Sequence, residues 1–179
     1  MRPWAIPTAR SLTRVDMHAP PETAFAHDDL NGDGRSDIVW QHADGRVAVW
    51  TMNGTAMTSG SEILGPASGW SVALTGDFDA DGKGDLYWQH TDGRAAIWLM
   101  NGLVPQTTNQ ILNAGSGWSA VHAGDLDGDG RSDLVWQHTD GSVAAWLMNG
   151  AVMGSGSGLL GPGTGWSVAH AGDRDGDGE

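Results

Sequence analysis

The 179-residue chain contains no cysteine, one tyrosine, two phenylalanines and only nine lysines and arginines. Each scarcity removes a class of explanation. Without cysteine there is neither a disulfide framework nor a thiolate metal site, although nothing follows about compartment. No stretch reaches the roughly 18 consecutive apolar residues needed to cross a bilayer. With so few cations and no basic stripe, the electrostatic footprint of a nucleic-acid binder is missing. The N-terminal segment MRPWAIPTARSLTRVDMHAPPE carries three arginines but no apolar core, so it does not read as a secretory signal. It also falls outside the pattern described next, and reads either as a disordered leader or as the displaced start of a longer gene.

What the chain has instead is acid, glycine and tryptophan, with 22 acidic residues, 28 glycines, ten tryptophans and a formal net charge of -13. The acid is not spread evenly. Fourteen of the 22 acidic residues lie in four short loops of the form D-x-[D/N]-x-D-G-x-x-D, whose first residues are Asp29, Asp77, Asp125 and Asp173. The spacing is 48 residues each time, and a period of that size is the signature of propellers or solenoids. The same shift superimposes Trp40, Trp88 and Trp136, then Trp50, Trp98 and Trp146, then Trp70, Trp118 and Trp166. It also superimposes three WQH triplets and three MNG triplets.

Within one unit the local signals are those of short strands. After the acidic loop comes the alternating run Leu134 to His138, a turn at Asp140-Gly141, the run Val143 to Met148, and a turn at Asn149-Gly150. Asp-Gly and Asn-Gly between alternating runs are strong hairpin signals. A short apolar run such as Ile111-Leu112 and a Gly/Ser stretch then lead to a fourth run, Trp118 to Ala123. Four short strands per unit is the arithmetic of a propeller blade, and turn punctuation every 8 to 12 residues leaves no room for an ordinary helix. The fold expected is therefore all-β, with about three complete four-stranded antiparallel blades and the start of a fourth.

Oxygen ligands at alternating positions of a short glycine-containing loop suit a hard cation, and calcium is its usual occupant. In the third loop Asp125, Asp127 and Asp129 stand at positions one, three and five, and Asp133 closes the loop at position nine. Asp77, Asp79, Asp81 and Asp85 take those roles in the second loop; Asp29, Asn31, Asp33 and Asp37 take them in the first. Position seven, Arg35, Lys83 or Arg131, is expected to offer only its backbone carbonyl. The fourth loop has Asp173, Asp175 and Asp177 and stops at Glu179, short of its position-nine carboxylate. An EF-hand begins the same way but needs a bidentate Glu at position twelve and flanking helices. Position twelve here is Trp40, Trp88 or Trp136 at the start of strand-like alternation, so that reading fails. Magnesium fits the crowded, flexible oxygen cage less well. A lone acidic loop is often only a solvated turn, but three complete copies at one period argue against that.

The segments GDFDADGKGDLYWQH and AAIWLMNG resemble the FG-GAP or VCBS repeat family, similar to the calcium-loop propeller repeats of integrin α-subunits. The resemblance covers roughly residues 22–179 and implies blades at 22–69, 70–117 and 118–165, a leader at 1–21 and a truncated fourth blade at 166–179. It departs at His27-Asp28, where the other units have Thr75-Gly76 and Ala123-Gly124, and at Glu22, where they have tryptophan. Propellers of this family usually close with about seven blades, so further blades or further copies of the chain are expected to complete the ring. The resemblance also implies an extracellular or cell-surface, non-catalytic module for adhesion or for binding carbohydrate or protein, with a calcium-rigidified spacer beside a secreted enzyme as the alternative. Trp70, Trp118 and Trp166, each in a Gly-Trp-Ser context, are candidate sugar platforms, although packing between neighbouring sheets is the favoured account of them. A hydrolase built on His90 with Asp92 or His138 with Asp140 is disfavoured, because residues that repeat with the blade lack the differentiated environments that separate an acid from a base. No GxSxG or HExxH motif is present.

Overall fold

The computed structural model describes residues 28–172. Every regular element among them is a strand, and eleven strands form three antiparallel sheets in chain order. The first sheet contains β1 (Ile38–Gln41), β2 (Val47–Asn53) and β3 (Ala56–Leu64). The second contains β4 (Trp70–Gly76), β5 (Asp85–His90), β6 (Ala95–Asn101) and β7 (Val104–Leu112). The third contains β8 (Trp118–Gly124), β9 (Asp133–His138), β10 (Val143–Asn149) and β11 (Val152–Leu160). Each sheet is a meander in which sequential strands are neighbours, and together they are successive blades of a propeller that does not close. The first sheet has three strands because the positions matching β4 and β8 fall at 22–28, of which only Asp28 lies within the described residues. Residues 166–172 occupy the same repeat positions in the fourth unit and form no strand.

The turn chemistry sets the registers. At the Asp-Gly turns the glycine swings to a left-handed φ, 95° at Gly93, and its N–H returns to the His90 carbonyl at 3.0 Å. The turns at Gly54, Gly102 and Gly150 are two-residue loops led by glycine at φ 62–63°, which suits the twist of a tight hairpin. With those turns fixed, alternation decides which side chains meet. Trp88, Leu86, Ala96 and Met100 face the first sheet and pack on Leu30, Val47 and Val49. Tyr87, Ala95, Ile97 and Phe78 face the third sheet and pack on Leu134, Trp136, Ala120 and Met148. The core thus consists of two seams between sheets. Tyr87 crosses the second seam, with its hydroxyl donating to Gln89 Oε1 at 2.7 Å and accepting the Ala120 N–H at 3.3 Å, and its ring edge-on to Trp136 at 5.8 Å.

Candidate metal centre

Each of the three acidic loops within the described residues is wound around its own first and last carboxylates. Asp77 at position one accepts the N–H groups of Asp81 at 3.2 Å and Gly82 at 2.8 Å. Asp125 takes those of Gly128 at 2.8 Å and Gly130 at 2.7 Å, and Asp29 those of Gly32 at 2.8 Å and Gly34 at 2.6 Å. Asp85, which opens β5, ties the loop to the sheet: its two oxygens accept the N–H groups of Phe78 at 2.9 Å and Met100 at 2.7 Å. Asp133 repeats this with Leu126 and Met148, and Asp37 with Leu30 and Met52. These acceptor roles explain why both positions are aspartate, since only a short carboxylate satisfies two converging donors at once.

The winding brings carboxylates together. Oxygens of Asp77, Asp79 and Asp85 lie within 4.8 Å of one another, and so do those of Asp125, Asp127 and Asp133. Ligand distances of about 2.3–2.6 Å let one hard cation bridge oxygens up to roughly 5 Å apart, so both groups could hold a metal ion. The electrostatics favour one. Burial pushes the Asp85 carboxyl up to about 7, against its two backbone donors, with Asp79 and Asp77 adding repulsion. Burial likewise raises Asp77, Asp133 and Asp37. A cation would relieve both the burial and the crowding.

The position-five carboxylates stand outside these groups. Asp81 bonds Lys83 Nζ at 2.6 Å, Asp129 pairs with an Arg131 guanidinium nitrogen at 2.8 Å, and Asp33 pairs with Arg35 at 3.2 Å. The side chain at position seven therefore neutralises position five, a role beyond the backbone carbonyl expected of it. The signal was in the sequence, because a cation recurs there in all three loops. In the first loop Asn31 Oδ1 accepts the Asp33 N–H at 2.9 Å, and no three-carboxylate group forms among the described residues. Asp173, Asp175 and Asp177 lie outside the described residues.

The loops also join one sheet to the next. The Asp29 carbonyl accepts the Gly84 N–H at 2.6 Å, and one repeat later the Asp77 carbonyl accepts the Ser132 N–H at 2.6 Å. The adjacent carbonyls of Leu30 and Phe78 accept the N–H groups of Gly102 at 2.6 Å and Gly150 at 2.9 Å, on the hairpins of the following sheets. These links make the first two loops corners where one blade meets the next. The sequence gives no local sign of these links, since they depend on which loop lies next to which.

The repeated histidines have a structural position. His90 Nδ1 lies 2.7 Å from Asp92, Arg94 holds the other side of that carboxylate, and His90 Nε2 meets the Ser68 carbonyl at 3.1 Å. His138 repeats this with Asp140 and Ser116. Both ring nitrogens are engaged in pinning the turn. The Arg94 guanidinium and then the backbone hold Asp92 down at about 2, and Ser142 and then His138 hold Asp140 at about 2. Trp70 and Trp118 are half-buried beside these rings, centroids 4.9 Å apart, with the Arg94 guanidinium 5.3 Å from the Trp70 ring; Trp166 is exposed.

The profile of one protein family, described as FG-GAP-like repeat, matches residues 29–88, 77–136 and 125–179 in three overlapping windows. A search among curated proteins finds no match.

Proposed function

Since the chain belongs to the FG-GAP-like repeat family, we propose that it is a calcium-stabilised propeller module that works outside the cell as a non-catalytic binding or adhesion surface. The observation that carries this reading is the pair of convergent carboxylate groups, Asp77, Asp79 and Asp85 and then Asp125, Asp127 and Asp133, at the corners joining consecutive blades. Asp81 and Asp129, with the carbonyls of Lys83 and Arg131, complete the ligand sets on rearrangement of the position-five side chains. Asp29, Asn31, Asp33 and Asp37, with the Arg35 carbonyl, form a first site with one fewer charge, and Asp173, Asp175 and Asp177 begin a fourth. Calcium supplies charge neutralisation at each corner; the chain's own residues supply the loop winding and the links between blades.

Binding to the folded state alone raises stability by mass action, about 2.7 kcal/mol per site at a hundred times the dissociation constant. Calorimetric titration of the metal-free chain is expected to give heat for at least two calcium sites, with a melting temperature raised by calcium and restored to the lower value by chelator. An unchanged melt in the two conditions would remove the metal from the proposal. A glycan array read with and without calcium then separates a lectin-like surface from a spacer. Spacer is favoured as the second reading by Trp70 and Trp118, whose rings are committed to His90 and His138.

A further inference from the structure

Consecutive acidic loops are joined by an unbroken line of backbone hydrogen bonds that runs from one carboxylate group to the next. In a calcium loop of this kind position seven offers its carbonyl, and that carbonyl belongs to the same peptide group as the position-eight N–H. In the third loop this peptide group is Arg131–Ser132, and its N–H donates to the Asp77 carbonyl at 2.6 Å. The Asp77 carbonyl in turn shares a peptide group with the Phe78 N–H, which donates to Asp85 Oδ2 at 2.9 Å. A trans peptide holds its C=O and N–H in one rigid plane, pointing opposite ways. The line therefore starts at position seven of the third loop, crosses two rigid peptide groups and ends on a carboxylate of the Asp77, Asp79 and Asp85 group. One repeat earlier the same line starts at Lys83–Gly84, whose N–H meets the Asp29 carbonyl at 2.6 Å, and passes through the Leu30 N–H to Asp37 Oδ2 at 3.0 Å.

We propose that these peptide relays make the calcium sites fill cooperatively, with occupation of one loop ordering the ligands of the loop before it. The inference rests on the calcium reading given above. With the Arg131 carbonyl held by an ion, its peptide group is fixed. Its N–H then holds position one of the second loop, and the Phe78 N–H holds position nine. These are the two carboxylates around which that loop is wound. Ordering them costs conformational entropy, and a second ion that finds them already ordered binds more tightly. Polarisation acts along the same line, because a cation on a carbonyl strengthens the N–H of that peptide group as a donor and hydrogen bonds in series reinforce one another. Asp85 keeps capacity for a metal, since each of its oxygens accepts one backbone bond and a carboxylate offers about four acceptor positions.

The link is made by main chain, which is why it recurs at Lys83–Gly84 and at Arg131–Ser132 although the side chains differ. Lys83 adds a second contact at its joint: its stem lies along Gly32 of the first loop, where an added Cβ would come within 3.4 Å of Lys83 Cγ. Repulsion between bound cations acts in the opposite sense. The sign of the coupling therefore identifies what carries it.

The test is a cycle of calcium titrations followed by calorimetry on the full chain. An Asp33→Asn background leaves the first loop two carboxylates, so that the second and third sites dominate the heat. In that background Asp127→Asn disables the third site and Asp79→Asn the second, each at an exposed carboxylate outside the relay. The overall association constant of the two-site chain is expected to exceed the product of the two single-site constants by about fivefold or more. That excess should persist in about 1 M potassium chloride, where the Debye length is about 3 Å and the charge lost in each variant is screened. In Asp79→Asn, filling of the third site is expected to move the amide proton resonances of Ser132 and Phe78 downfield. A ratio at or below one in high salt, or a Phe78 amide that stays in place while the third site fills, would overturn the relay and leave the calcium reading standing. Absence of calcium heat from every chain in the cycle would overturn both.

Discussion

Asp79 and Asp85 contribute oxygens to one group yet are held by different forces. Asp79 is exposed and accepts only the Asp81 N–H at 3.3 Å, a bond an asparagine oxygen can keep. Asp85 is buried and satisfies two buried N–H donors. In chelator at pH 5, Asp79→Asn is expected to leave the urea midpoint unchanged, while Asp85→Ala lowers stability by about 1–3 kcal/mol for each orphaned donor. Both substitutions should weaken calcium binding in a titration. If Asp79→Asn unfolds the chain, the carboxylate group is structural and the division of roles is wrong. Asp85 also sets a pH dependence. Its folded value is raised to about 7 from an ordinary 3.8, so the folded state holds a proton that the unfolded state has released. The associated stability is present below about pH 4 and is lost as pH rises towards 7 and beyond. Melting temperatures in chelator should therefore fall between pH 5 and pH 8, and calcium should flatten or reverse that trend; a rise with pH in chelator would contradict the burial of an uncompensated carboxyl.

At the scale of an element, the acidic loop is a wedge whose second residue enters the seam. Leu30, Phe78 and Leu126 hold the same position in three loops, the first two fully buried and the third half-open. Removing Phe78 leaves a cavity between sheets, so Phe78→Ala is expected to cost about 3–5 kcal/mol and Leu30→Ala about 2–5. Leu126→Ala should cost clearly less, because part of that side chain is already in water; equal losses by chemical denaturation would mean that the third loop is covered in solution. The hairpins on either side were legible in the sequence because Asp-Gly and Asn-Gly turns fix register locally. The strands β3, β7 and β11 were only partly legible. In β7 the run Val104–Leu112 includes Thr107, Thr108, Asn109 and Gln110, with little apolar alternation, and only Ile111 and Leu112 read as strand. As the outermost strand of its blade it is held by pairing to β6 more than by burial, so its side chains carry little signal.

For the whole molecule, repetition made the architecture readable and hid the differences between copies. A 48-residue period identifies the blade, but it assigns Trp40 the same role as Trp88 and Trp136, although only the latter two are enclosed. The exposure of a repeat position depends on its neighbours, and a residue's own sequence context does not contain them. The position-five carboxylates show the same limit at shorter range: the motif spacing alone does not tell that the side chains of Lys83, Arg131 and Arg35 pair with them. Stacked units of this kind couple mainly to their nearest neighbours, so the strength of the joints decides whether the blades melt together or separately.

One such joint carries its own optical label. Tyr87 is the chain's single tyrosine, and its ring lies edge-on to Trp136 across the seam between the second and third sheets. Its hydroxyl, whose pKa burial pushes up to about 12, is bonded to both sides of that seam. Ionisation of that one phenol, read by ultraviolet absorbance at high pH, is therefore a gauge of one blade contact, available without any dye or substitution.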